Sequence, residues 1–441
     1  MTAVPGDGPP RTSASNLRRI DSGSPKTLAC AAPSQRRAFH GRTNRGGQGV
    51  RIVVLGGAGI IGRSIVRDLA DDREVKEIVV ADLDLDAAKK LAETVGRPGV
   101  TAVKTDVTDN SALVGLVRGA GCVVNSVQYY YNLAIMRACL EAKTHYIDLG
   151  GLFHTTRKQL ELHGEFKRAG LLAILGLGSC PGIANVQARV VADGFDTVES
   201  IRIYNGATPD MGDSLAWAYS IQTIFDEITQ PPIVFRDGRF VETEPLGEEE
   251  LYRFQDPIGV SKVHLSLHSE VATLPLTYGP KGIKDCFFKI SFFGYSEKAL
   301  RQLQFLAQIG LASGEPIDVR GVRVRPRDVL VEVLKRAPQT ERKGSLGFKD
   351  IVTEVRGIRA GKPVAGRVET TAWPHKTWGI SGGTMLVASP PAILARWIAR
   401  GQMKQAGALP PEQAVDPAAL FRDLETRGAR TTVAVAEVFP G

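Results

Sequence analysis

The chain has 441 residues, 43% hydrophobic and 23% charged, which suits a soluble globular protein with more than one core and excludes fibrous classes. Its net charge of +8 does not point to nucleic acid, because residues 1–48 hold eight Lys or Arg against only Asp7 and Asp21. The five cysteines, Cys30, Cys122, Cys139, Cys180 and Cys286, contain no C-x-x-C pair, which argues against a zinc site or disulfide framework and fits a reducing, cytoplasmic setting.

Residues 1–48 are rich in Ser, Pro, Gly and Arg without hydrophobic period, and are expected as a disordered basic tail outside the fold. Next, Arg51–Leu55 reads as a buried strand, followed by Gly57, Gly59 and Gly62 at G-x-G-x-x-G spacing. Gly57 permits a tight turn, Gly59 lets backbone approach a pyrophosphate, and Gly62 lets the following helix lie close to the strand. That helix, Ile61 to Leu69, would turn its positive end, at Ile60 and Ile61, towards phosphates. A second strand, Ile78–Ala81, ends at Asp82, where a carboxylate can accept hydrogen bonds from ribose hydroxyls. The sequence favours NAD, with NADP the alternative, since a 2′-phosphate would meet this carboxylate and the following LDLD offers no Arg.

Strands and helices continue to alternate, which implies a parallel sheet. The helix 87–95 leads to strand 100–103 and then Asp106, which could contact adenine or equally cap the helix starting near Ser111. A fourth strand, Cys122–Val124, delivers Asn125, Ser126 and Gln128 to its C-terminal end, where ligands of open α/β sheets lie. Tyr129 follows, then the helix Asn132–Ala142 and a strand His145–Asp148 opening into Gly150-Gly151. The helix 155–169 and the strand 171–175 complete the sheet. The longest uncharged run, 169–186, is broken by Gly176, Gly178, Pro181 and Gly182, so no membrane span is expected.

From 198 to 371 the strands alternate with hairpin turns, Asp237-Gly238 among them, and read as an antiparallel α+β unit. Helices are expected near 215–228 and 297–311. Ser389-Pro390-Pro391 is read as introducing a helix, Ala392–Arg400, that returns to the first domain, with a further short helix near Phe421–Leu424. The expected division is a tail at 1–48, a doubly wound Rossmann-type domain at 49–180, an inserted α+β substrate and dimerisation domain at 181–379, and C-terminal helices at 380–441.

Gly57 to Gly62, Asp82, the run Tyr146-Ile147-Asp148-Leu149-Gly150-Gly151, the G-x-G-S-x-P-G-I-x-N pattern of 176–185, and the closing P-P-E and F-x-x-L-x-x-R-G resemble the saccharopine dehydrogenase-like oxidoreductases. The subgroup it is most similar to contains lysine 6-dehydrogenase and carboxynorspermidine dehydrogenase. The resemblance implies a homodimer with a cleft between two domains, and hydride transfer between a nicotinamide and a carbon bearing nitrogen in an amino-acid-like substrate. Positioning does most of that work. An amine must lose a proton before hydride leaves, so a base is useful, and Asp148, Tyr129 and His154 are candidates by position. For His154 a surface-loop histidine is the plainer reading. Arg202, Arg236 or Arg239 could hold a substrate carboxylate. The alternative is a dinucleotide-binding regulatory or scaffold protein without catalysis.

Overall fold

The computed structural model describes residues 50–208, 220–292, 296–336 and 347–438. The basic tail, and the start of the helix expected from 215, lie outside the described residues. The first domain runs β1 (Val50–Leu55), α1 (Gly62–Ala70), β2 (Val75–Asp82), α2 (Leu85–Val95), β3 (Val100–Lys104), α3 (Asn110–Val117), β4 (Cys122–Asn125), α4 (Asn132–Ala142), β5 (Tyr146–Asp148), α5 (Leu152–Leu160), α6 (His163–Arg168) and β6 (Leu172–Ile174). The sequence reads as one helix where α5 and α6 stand. The backbone breaks between them, and Phe166 of α6 is buried in its own right.

A helix α7 (Ile183–Ala192) leads into the second domain. Its elements are β7 (Thr197–Ala207), α8 (Ile221–Thr229), β8 (Ile233–Arg236), β9 (Arg239–Glu242), β10 (Glu250–Arg253), β11 (Val260–Leu265), α9 (Ser269–Tyr278), β12 (Asp285–Ile290), α10 (Glu297–Gln308), β13 (Ile317–Val319), β14 (Val322–Val324), α11 (Pro326–Arg336), β15 (Lys349–Arg359) and β16 (Lys362–Ala372). The chain closes with α12 (Gly382–Ala399), β17 (Gly407–Leu409), α13 (Pro411–Ala414), α14 (Pro417–Glu425) and β18 (Ala429–Glu437).

The first sheet is parallel in every pair, in the order β17-β6-β5-β4-β1-β2-β3. The chain winds outward from β1 through β2 and β3, then returns to the other side of β1 with β4. That reversal opens a crevice at the C-terminal ends of β1 and β4, the place where such sheets bind ligands. Burial on both faces explains the aliphatic runs, with Ile52, Val54, Ile78 and Val80 on one face and Val53, Leu55 and Val79 on the other.

The second sheet runs β10-β11-β12-β7-β15-β16-β18, with the β8–β9 hairpin on β12. It is antiparallel as expected except where β12 lies parallel to β7. The hairpin turns through Asp237 and Gly238 at φ of 49° and 78°, the left-handed pair that a two-residue turn needs.

Two features of the C-terminal segment depart from the sequence reading. Pro390 and Pro391 lie inside α12 rather than ahead of it. Proline removes backbone donors, but α12 is buried along most of its length, with Met385, Leu386, Ile393 and Leu394 fully enclosed, and that packing offsets the loss. Nor does the whole segment return to the first domain. α12 packs on α1 and β17 extends the first sheet, whereas β18 pairs with β16 in the second.

Candidate active site

The glycine turn is built for close backbone approach. A Cβ on Gly62 would lie 2.1 Å from the Gly56 carbonyl oxygen, and one on Gly57 would lie 2.9 Å from Val80 Cγ1. No side chain caps α1, whose N-cap is Ile61; Arg63 N and Ser64 N bond to the Gly59 and Ile61 carbonyls, so it is the positive end of the helix as a whole that faces the cradle. The Asp82 carboxylate stands beside the turn, accepting from Ala58 N at 2.9 Å and from Asp84 N at 3.1 Å. A cradle closed to side chains, an uncapped helix and an acid at the end of β2 fit a dinucleotide.

Around this cradle, Ser126 Oγ donates to the Leu55 and Gly56 carbonyls at 2.9 and 3.1 Å, tying β4 to the turn. Gln128 is half-buried at the same edge. Asp106 is exposed and accepts from the hydroxyl and amide of Thr108, which hold its pKa below the usual carboxylate range. The cap of α3 is Asp109 instead, so the helix-capping alternative for Asp106 falls away. Asn125 does not line the crevice by its side chain. It is buried, donating to Asn132 at 2.9 Å and to the Tyr146 hydroxyl at 3.0 Å.

The Asp148 carboxylate does not reach the crevice either. It is 1% exposed and accepts from Gly176 N at 2.7 Å, Gly150 N at 2.9 Å, Gln159 Nε2 at 2.5 Å and Asn132 Nδ2 at 3.3 Å. Burial raises its pKa against these donors. Its position at a strand end is as expected, but its oxygens turn inward to the loops that follow β5 and β6. Asp148 therefore shapes the crevice through the backbone it holds. His154 is exposed near the start of α5, its ring against Phe153.

Tyr129 meets the second domain. Its hydroxyl is 2.9 Å from Asp226 Oδ2 of α8, and Asp226 in turn pairs with Arg327 of α11 at 2.8 Å. Burial, then Asp226, pushes the Tyr129 hydroxyl up to about 12. Close by in the chain, α8 also supplies Glu227 to a buried cluster that the sequence reading missed. His268 stacks on Phe288 at 3.7 Å, with Nδ1 2.5 Å from Glu270 Oε2 and Nε2 4.0 Å from Glu227 Oε1. Burial works against the charged ring, but Glu270 and Glu227 outweigh it and raise the His268 pKa, with Lys349 opposing. Glu270 is 0% exposed, and its Oε1 has no hydrogen-bond partner.

Between His268 and Glu270, Ser269 fastens this cluster to the first domain. Its hydroxyl lies 3.0 Å from Thr156 Oγ1 and accepts from Gly151 N at 3.3 Å. The cluster thus sits against the turn after β5, on the ligand side of the parallel sheet. One signal was available in sequence: His268-Ser269-Glu270 stand together between Leu267 and Val271-Ala272, and charge beside buried apolar residues needs a reason. Of the three candidate arginines, Arg202 pairs with Asp285 and Arg236 with Glu248, while Arg239 is exposed.

The more selective sequence patterns are knots between distant segments. Asn185 caps Gly182 N at 3.0 Å and donates to Glu412 of the P-P-E run at 2.9 Å. Arg427 of the F-x-x-L-x-x-R-G run binds Asp68 of α1 at 2.6 and 2.8 Å, beside Arg396 of α12. These same segments match two family models, the saccharopine dehydrogenase NADP binding domain over residues 52–174 and the saccharopine dehydrogenase C-terminal domain over 178–429. The chain belongs to the saccharopine dehydrogenase family.

Within this family, the chain is 24% identical over 401 residues to carboxyaminopropylagmatine dehydrogenase of Synechocystis sp., covering 88% of this chain and 98% of that one. It is 26% identical over 330 residues to carboxynorspermidine synthase of Vibrio cholerae, covering 69% and 78%. Among solved structures, apo saccharopine dehydrogenase from Saccharomyces cerevisiae superposes with a TM-score of 0.66 at 17% identity, over 88% of this chain and 100% of that one. Homospermidine synthase of Legionella pneumophila, solved with NAD, gives 0.61 at 11% identity over 88% and 91%. This member of the saccharopine dehydrogenase family is an NAD(P)-dependent oxidoreductase of the CH–NH class. Among the described residues, no helix is long and apolar enough to cross a membrane.

Proposed function

We propose that the protein interconverts a secondary or primary amine and its imine at the seam between the two domains, with NAD preferred over NADP. The substrate is a small, amine-rich amino acid of the polyamine-precursor type, a class consistent with the names of the relatives. The observation that carries this reading is the Glu227–His268–Glu270 cluster: Glu270 is as enclosed as Asp148, but whereas four donors satisfy Asp148, Glu270 Oε1 has no hydrogen-bond partner and is the acceptor left for a substrate N–H.

When bound, the nicotinamide supplies the hydride acceptor or donor. The chain's own groups set up the rest. Glu270 orients the substrate nitrogen, and His268 exchanges the proton that the amine loses before its C–H bond can break. Tyr129, fixed by Asp226, lines the seam. Asp148 positions the turns at Gly150 and Gly176, and His154, exposed, has no part in the proton step. Asp82, with no arginine in the following LDLD, carries the NAD preference. A homodimer in a cytoplasmic setting completes the reading; the setting is supported by Cys122, Cys139, Cys180 and Cys286, free among the described residues.

A screen of amino acids and carboxylated polyamines for reduced-cofactor formation tests this. Turnover with an amine-bearing substrate and preference for NAD are expected. Activity confined to alcohols, or none with any amine, would overturn it.

A further inference from the structure

The arginines that face other elements of this protein are mostly spent. Arg202 and Arg236 have carboxylate partners, Arg327 holds Asp226, Arg367 holds Glu354 and Glu369, and Arg396 and Arg427 share Asp68. Arg157 of α5 differs. Its Nη1 is buried without a hydrogen-bond partner, and its guanidinium lies over the Phe240 ring, 5.5 Å from the centroid. A ring face steadies a cation but does not satisfy guanidinium N–H donors, which call for a planar anion.

Its place makes that anion part of a substrate. α5 rises from the Gly150-Gly151 turn at the end of β5, and Thr156, the preceding residue, touches Ser269. Ser269 separates His268 from Glu270, so the cation lies on the same seam as the amine-accepting cluster. Phe240 packs against Phe153 and Phe235 at 5.2 and 5.0 Å, an aromatic surface from both domains beside the guanidinium. We propose that Arg157 holds the carboxylate of the substrate, with the Phe153–Phe240 surface against its methylene chain, so that the protein selects a carboxylated amine over the plain polyamine. This inference rests on the amine oxidoreductase reading and adds the specificity residue.

The test is calorimetric titration of NAD-loaded full-length protein with carboxynorspermidine and with the same polyamine lacking the carboxylate, in the wild type, R157A and R157K. The wild type is expected to favour the carboxylated compound by at least about tenfold, the scale of one charge-assisted fork. R157A should erase that preference while keeping affinity for NAD and for the plain polyamine, and R157K should restore part of it. A preference that survives in R157A overturns the assignment. So does a lowered melting temperature in R157A with the preference intact, which makes the residue a structural cation over Phe240. If the wild type binds neither compound, the amine reading itself falls and takes the anchor with it, an outcome distinct from binding both equally.

Discussion

The cofactor cradle and the Glu227–His268–Glu270 cluster are both sites of buried or half-buried carboxylates, yet they are assembled in opposite ways. The cradle comes from one stretch of about 30 residues, a βαβ unit in which local spacing sets the geometry. Its acid, Asp82, is held by two backbone amides of neighbouring turns. The cluster instead gathers Glu227 from α8 and His268 and Glu270 from the start of α9, and Ser269 docks it onto the first domain. A site made by short-range chemistry tolerates separation of the domains. One made across a seam depends on their docking.

That contrast can be broken at either end. Gly62→Val places a side chain where the Gly56 carbonyl oxygen already stands 2.1 Å from the ideal Cβ. It should abolish cofactor binding and destabilise the fold by more than about 4 kcal/mol, read by calorimetry and melting curves. Glu270→Gln takes the carboxylate from His268, the proposed proton-handling residue, and should lower kcat by roughly 10²- to 10⁴-fold, the usual weight of such a group. NAD affinity should stay within a few-fold, which separates the two sites.

Asp148→Asn sharpens the comparison, because Asp148 ends a strand like Asp82 but faces inward. Putting an amide among four donors should cost about 1–3 kcal/mol of stability, while turnover per folded molecule changes less than in Glu270→Gln. Asp82→Ala, with a half-buried partner-bearing acid removed, should cut the NAD-over-NADP preference by roughly tenfold or less, measured by titrating both cofactors.

The smallest effect is on pH. Burial, and then Glu369, raises Asp350 to about 7, and His268 is raised as well. The folded protein therefore binds more protons than the unfolded chain, through Asp350 from the ordinary carboxyl range up to about 7 and through His268 above the ordinary imidazole value. Stability should fall as pH rises through each window, by about 1 kcal/mol per pH unit for the group that titrates there. Denaturant melts from about pH 5 to 8 check the sign, and Asp350→Asn should flatten the slope.

How much was legible follows the same division. Strands β1 to β6, the helix 132–142 and the Asp237-Gly238 hairpin were readable because periodicity and turn residues act locally. The parallel β12–β7 pair, the β18–β16 pair and the helix through Pro390 and Pro391 were not, since each depends on a partner far along the chain. In the site, the glycines and Asp82 announced themselves by spacing. Asp148 and Asn125 were at strand ends as read, but nothing in sequence says whether a strand-end side chain turns out or in. His268 and Glu270 lacked any motif beyond the polar triplet at 268–270, and it is burial that shows their charge needs a purpose.

Direct transfer of hydrogen between substrate carbon and nicotinamide tests the central claim most closely. With carboxynorspermidine deuterated at the carbons bearing the secondary nitrogen, deuterium should appear in the reduced nicotinamide, with a primary isotope effect on a single turnover, and Glu270→Gln should slow that step without loosening NAD. Deuterium retained in the amine despite saturating cofactor, or released to water, would contradict the account and leave a dinucleotide-binding protein whose seam does no amine chemistry.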